Sequence, residues 1–117
     1  MLTLYGISNC DTVKKAKAWL DERGIAYVFH DFKKVGIDEA RLDSWIERLG
    51  WEPLLNRAGT TFRKLDDADK SGIDAVKARR LMLAQPSMVK RPVLERGETL
   101  FVGFKPDLYE QAGIGAW

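Results

Sequence analysis

The sequence predicts an α/β fold in which a β-α-β unit and a β-β-α unit flank a helical insert, in one chain of 117 residues. Three observations carry this. The residue pattern passes from short alternation at 2–7 to helical spacing at 11–22, then to a β-rich run at 26–32. The middle of the chain carries no strand pattern. Two short apolar runs around Arg96-Gly97 then give a hairpin signature.

Each element has its own reason. Leu2 and Leu4 share one face of the first strand, and Gly6, Ser8 and Asn9 are expected to break it in a turn. Val13, Ala16 and Leu20 line one face of the first helix, with Trp19 at its edge and Gly24 as its stop. Branched and aromatic residues at 26–32 favour a second strand, parallel to the first across the helical crossover. Leu42, Trp45, Ile46 and Leu49 repeat at i, i+3, i+4 and i+7, so a helix is expected over 38–49, capped by Asp38 and closed by Gly50. Short helices joined by a 57–61 loop are expected over 51–72, and a longer one over 74–84 that stops at Gln85-Pro86. Val93-Leu94 and residues 99–102 form the hairpin, Pro106 opens a last helix, and 113–117 is a tail. This order is that of a thioredoxin-like fold with a helical insertion between its halves. A single domain over 1–117 is expected, with the core in about 1–35 and 86–113 and the insert in about 36–85.

Composition narrows the function. A chain that is 45% hydrophobic can build a core and is not disordered as a whole. No apolar run approaches the roughly 18–20 residues of a membrane span, and the first residues lack the basic and apolar regions of a signal peptide. A cytoplasmic location is therefore expected, with no membrane partner. One cysteine and one histidine, Cys10 and His30, rule out an internal disulfide and an all-nitrogen-and-sulfur metal cage, and no metal is expected. A net charge of +2 is too mild for direct nucleic-acid binding to be expected. No phosphate loop or dinucleotide fingerprint is present.

Cys10 falls where the first strand passes into the first helix. Unpaired N–H groups and the positive end of the helix dipole favour a thiolate there. Lys14, one turn along, is expected to help and the adjacent Asp11 to oppose. A buried, inert cysteine is the alternative reading. Residue 13 is valine, so any redox chemistry must be monothiol, with the second sulfur supplied by another molecule. Basic residues gather at Lys77, Arg79, Arg80, Lys90 and Arg91, again at Arg57, Arg63 and Lys64, and at Lys105. Beside a thiolate such cations suit a carboxylate, an oxyanion or glutathione. For Lys77, Arg79 and Arg80 a solvated helix face is the simpler reading. Arg57 and Arg91 lie in loops beside Gly or Pro. His30 and the four tryptophans read as structural.

With Tyr5-Gly-Ile-Ser-Asn-Cys-Asp-Thr-Val-Lys-Lys-Ala16, Leu55-Asn-Arg57, Phe62-Arg-Lys-Leu65 and Met88-Val-Lys-Arg-Pro-Val93, the chain resembles the ArsC/Spx (arsenate reductase-like) family, most closely its small YffB branch. The likeness runs through nearly the whole length. It implies a single ArsC-like domain with a redox cysteine at Cys10, oxyanion-assisting arginines at Arg57 and Arg91, and a cis proline at Pro92 beside the cysteine. Lys105 stands where the reductases carry a third arginine, and Gly6 where they carry a histidine. Lysine lacks the planar fork that grips an oxyanion with two bonds.

Taken with the residues, the resemblance implies a glutathione-dependent thiol/disulfide reductase. Cys10 is its catalytic residue; Arg57, Arg91, Lys105, Asn9, Pro92 and Lys14 form the glutathione or anion site. Glutathione is the expected co-substrate, with no bound cofactor, and glutaredoxin or a glutathionylated protein the further partner of a monomer. The alternatives are an arsenate reductase coupled to glutathione and glutaredoxin, and a non-catalytic Spx-like regulator that binds RNA polymerase.

Overall fold

The structure, a computed structural model, describes residues 1–116. The chain forms two compact units: Met1–Asp31 with the residues from Arg91 onward, and Phe32–Lys90. The division between the units falls after Asp31 and before Arg91. Phe32 leaves the strand for a one-turn helix, and a Leu55↔Val89 bridge ties the segment before Arg91 to the insert.

The first unit holds a four-stranded sheet. Strand β1 (Thr3–Gly6) pairs in parallel with β2 (Val28–Asp31) and antiparallel with β3 (Val93–Arg96). Strand β4 (Thr99–Val102) pairs antiparallel with β3, giving the order β2-β1-β3-β4. This is the thioredoxin-like arrangement that the element order predicts. Gly97 turns the hairpin with φ +58°, at the first central position where a two-residue turn needs glycine. Leu2 and Leu4 do face one core, with Ala16, Trp19 and Leu20 of α1 (Asp11–Glu22) and Tyr109 of α7 (Pro106–Gln111). Tyr5 and Gly6 are buried too, which is why the alternation along β1 is weak.

Tyr109 stands edge-on to Trp19, ring centroids 5.3 Å apart, and to Phe104 at 4.9 Å. Burial pushes its phenol far above the ordinary range, and its hydroxyl has no hydrogen-bond partner among the described residues. Ile114 of the expected tail is buried in the same core; Trp117 lies outside the described residues.

The second unit is helical among its described residues: α2 (Phe32–Val35), α3 (Glu39–Leu49), α4 (Thr60–Arg63), α5 (Asp67–Lys70), α6 (Ala75–Ala84) and a 3-10 turn at Pro86–Met88. Asp38 caps α3 by accepting from the Arg41 N–H at 2.9 Å, and Asp74 caps α6 through Lys77 N–H at 2.8 Å. The expected 57–61 loop is shorter than foreseen, since Thr60 and Thr61 already belong to α4. Arg79 on α6 donates from Nε to Asp43 at 2.6 Å and from an Nη to Glu39 at 3.2 Å. Lys77 Nζ caps the carbonyls of Ala68 and Ser71, and Arg80 pairs with Asp69 at 3.7 Å. These three cations tie helices of the insert together. No helix among the described residues is long and apolar enough to cross a membrane.

Candidate functional site

Sheet register assembles the site. Tyr5 pairs with Val93 across the antiparallel β1–β3 ladder, so the exit of β1 lies beside the entry to β3. Cys10 follows that exit, and Arg91 and Pro92 precede that entry. Val102, the last residue of β4, also pairs with Val93, and the Gly103 N–H donates to the Pro92 carbonyl at 2.8 Å. Lys105 follows two residues later as the N-cap of α7. Cys10, Arg91, Pro92 and Lys105 therefore share one end of one sheet. The Arg91–Pro92 peptide is cis.

Ile7 accepts a hydrogen bond from the Cys10 N–H at 3.2 Å, closing a turn through the exposed Ser8 and Asn9. Cys10 then takes extended angles, φ −89° and ψ 126°, as the N-cap of α1, and its carbonyl accepts the first helical bond from Lys14 at 3.0 Å. An N-cap side chain stands before the free N–H groups of the first turn. In Cys10 a sulfur holds that place, without closing a full capping bond.

Partial burial pushes the Cys10 thiol up. The Val13 N–H, the Arg91 guanidinium and the Thr12 N–H outweigh it, and the thiol lies below the ordinary cysteine value. Hydrogen bonds to the charged form favour that form. Cys10 is only half-buried. The arrangement can hold a thiolate and present it as a nucleophile.

Free N–H groups were expected to favour the thiolate, with Lys14 helping and Asp11 opposing. Both side chains are exposed to water, and the shift comes from backbone N–H groups and Arg91. Solvent screens a charge carried on an exposed side chain. Lys105 is likewise exposed. Arg57 belongs to the second unit, where its guanidinium lies 5.4 Å over the Trp51 ring. His30 packs against Tyr5 at 5.0 Å between ring centroids. No cluster of metal-ligating side chains occurs among the described residues.

Two features escape sequence reasoning. Arg91 acts on the sulfur itself, which a β1–β3 antiparallel pairing would have signalled. Gly6 belongs to β1, not to the turn after it, and a Cβ there would lie 2.7 Å from Val13 Cγ2. Close approach, not turn geometry, accounts for this glycine.

Comparisons with known proteins agree with this architecture. A solved structure named the YffB protein is 61% identical with a TM-score of 0.92, covering 96% of this chain and 98% of that one. An arsenate reductase (ArsC) related protein from Brucella melitensis is 62% identical with a TM-score of 0.77, covering 94% of this chain and 92% of that one. The global transcriptional regulator Spx of Listeria innocua is 27% identical over 109 residues, 92% of this chain and 82% of the regulator. Residues 5–112 match the ArsC family, and the chain belongs to that family.

Proposed function

We propose that the chain is a glutathione-dependent thiol–disulfide reductase working through one redox cysteine. The observation that supports this is the half-buried Cys10, drawn toward thiolate by two backbone N–H groups and the Arg91 guanidinium. The Cys10 thiolate attacks the glutathione sulfur of a mixed disulfide. A Cys10–glutathione disulfide forms, the old S–S bond breaks, and the departing sulfur takes a proton from water. The thiolate of a second glutathione attacks the same glutathione sulfur, freeing the Cys10 thiolate and leaving glutathione disulfide. One mixed disulfide and one glutathione are consumed; one free thiol and one glutathione disulfide are made. The single cysteine calls for this external thiol, and a glutaredoxin thiol can serve in its place.

In this reading Arg91 and Lys105 supply cations for the tripeptide's carboxylates, and Asn9 and Pro92 border the bound sulfur. Lys14 adds charge from the solvent side. Arg57 is a candidate anion contact in its own unit. The proposal includes a monomer acting in the cytoplasm. Arsenate reduction is the second reading, favoured by the arsenate reductase-related relative and opposed by Lys105 and Gly6. A regulatory role on RNA polymerase is the third, favoured by the Spx relative.

The deciding experiment is incubation with glutathione disulfide followed by intact mass. One glutathionyl adduct is expected, absent from Cys10→Ser and removed by added glutathione. A wild-type protein that stays unmodified would remove the reductase reading.

A further inference from the structure

A bare Cα at Gly6 faces the side chain of Val13. A Cβ built there would stand 2.7 Å from Val13 Cγ2 and 3.5 Å from Cγ1. The φ of Gly6 is not positive, so the backbone alone would accept other residues. Space is what excludes them. Val13 is fully buried on the inner face of α1. Valine is stiff about χ1 in a helix, so its methyl groups cannot swing aside freely. Relief of a 2.7 Å contact has to come from β1 or from the first turn of α1. That turn carries the Thr12 and Val13 N–H groups that face the Cys10 sulfur.

We propose that Gly6 is a positioning residue for the nucleophile: its missing side chain lets Val13 seat fully against β1, which aims the Val13 N–H at the Cys10 sulfur. The inference deepens the reductase reading and rests on Cys10 being its nucleophile. The strand end and the helix start act as one unit, because the packing of a buried methyl group sets the direction of a backbone donor. The Arg91 guanidinium is the charged group that faces the sulfur; Asp11 and Lys14 on α1 are exposed, and none of the three changes in the test.

The test is a double-variant cycle on the full chain, read by the pH titration of thiolate absorbance, with unfolding curves recorded alongside. No glutathione is present, so failure here is separate from failure of the reductase reading, which the mass experiment decides. In Gly6→Ala the thiol midpoint is expected to rise by about half a unit to one unit, a roughly three- to tenfold loss of thiolate below both midpoints. Val13→Ala removes both methyl groups, so adding Gly6→Ala to it is expected to leave the midpoint unchanged. Val13→Ala alone, which loosens the same seat, is expected to raise the midpoint, and a wild-type midpoint there would overturn the proposal even where Gly6→Ala alone does not fold. A folded Gly6→Ala with the wild-type midpoint would overturn the proposal. So would a double variant whose midpoint departs from that of Val13→Ala.

Discussion

The Arg91 guanidinium draws the Cys10 sulfur toward thiolate, from a loop that enters β3 just where β1 leaves the sheet. Arg91 and the N–H groups of the first α1 turn hold the folded thiol below its free value of about 8.5. A lowered thiol pKa in the folded chain makes stability depend on pH. Between the folded and free values the unfolded chain binds more protons, so stability rises with pH there. The contribution is complete above the free value and is lost as pH falls through the folded one. Denaturant unfolding of reduced wild type and Cys10→Ser should show a gap that widens toward alkaline pH. A gap independent of pH would mean that the thiol is not acidic.

Arg91→Ala should weaken glutathione binding by about one to two orders of magnitude, since a hydrogen bond to a charged group contributes roughly 1.5–3 kcal/mol. Calorimetric titration into Cys10→Ser, with and without Arg91→Ala, isolates the non-covalent affinity. Arg57→Ala in the same background asks whether the second unit contributes. Equal affinities in folded proteins would assign these arginines to structure alone.

Arsenate turnover with glutathione and glutaredoxin should be slight, and Lys105→Arg should raise it. Lysine offers a point charge where a guanidinium offers a two-bond fork. Steady-state arsenate reduction by the two proteins is the measurement. Fast turnover by the unaltered chain would show that a lysine at the start of α7 suffices.

Tyr109→Phe should keep or raise the melting temperature. The ring contacts with Trp19 and Phe104 survive the change, while a buried hydroxyl without a partner among the described residues is removed. Leaving such a group unsatisfied costs about 1–3 kcal/mol. Calorimetric melting reads the effect, and a drop of several degrees would reveal a bonding partner for the hydroxyl.

Much of this was legible in the residues, for physical reasons that differ by element. Asp38 and Asp74 announce their helices because capping is a local interaction, and Arg96-Gly97 announces its hairpin because a two-residue turn constrains its own backbone. The single turn at Phe32–Val35 was hidden, since four residues carry no helical period and an aromatic start reads as strand. Cys10 was placed by the strand-to-helix junction alone. Its backbone donors follow from that same junction, and the family resemblance puts Arg91 in the site. That Arg91 acts on the sulfur follows only from strand register across most of the chain, and Gly6 is explained only by the space Val13 takes. Arg79 looked like part of a basic run because the acids it grips, Glu39 and Asp43, lie on a helix much earlier in the sequence.

The order β2-β1-β3-β4 has a kinetic meaning. β1 and β2 are joined by a short crossover and can meet early, but β3 must return after residues 32–90 have been made. Closing so long a loop costs entropy before any ladder bond rewards it. An insert that has already folded shortens the flexible path between its ends. The Arg79 clasp on Asp43 therefore bears on how quickly the sheet is completed. Loosening it should slow the search that first brings Arg91 to Cys10.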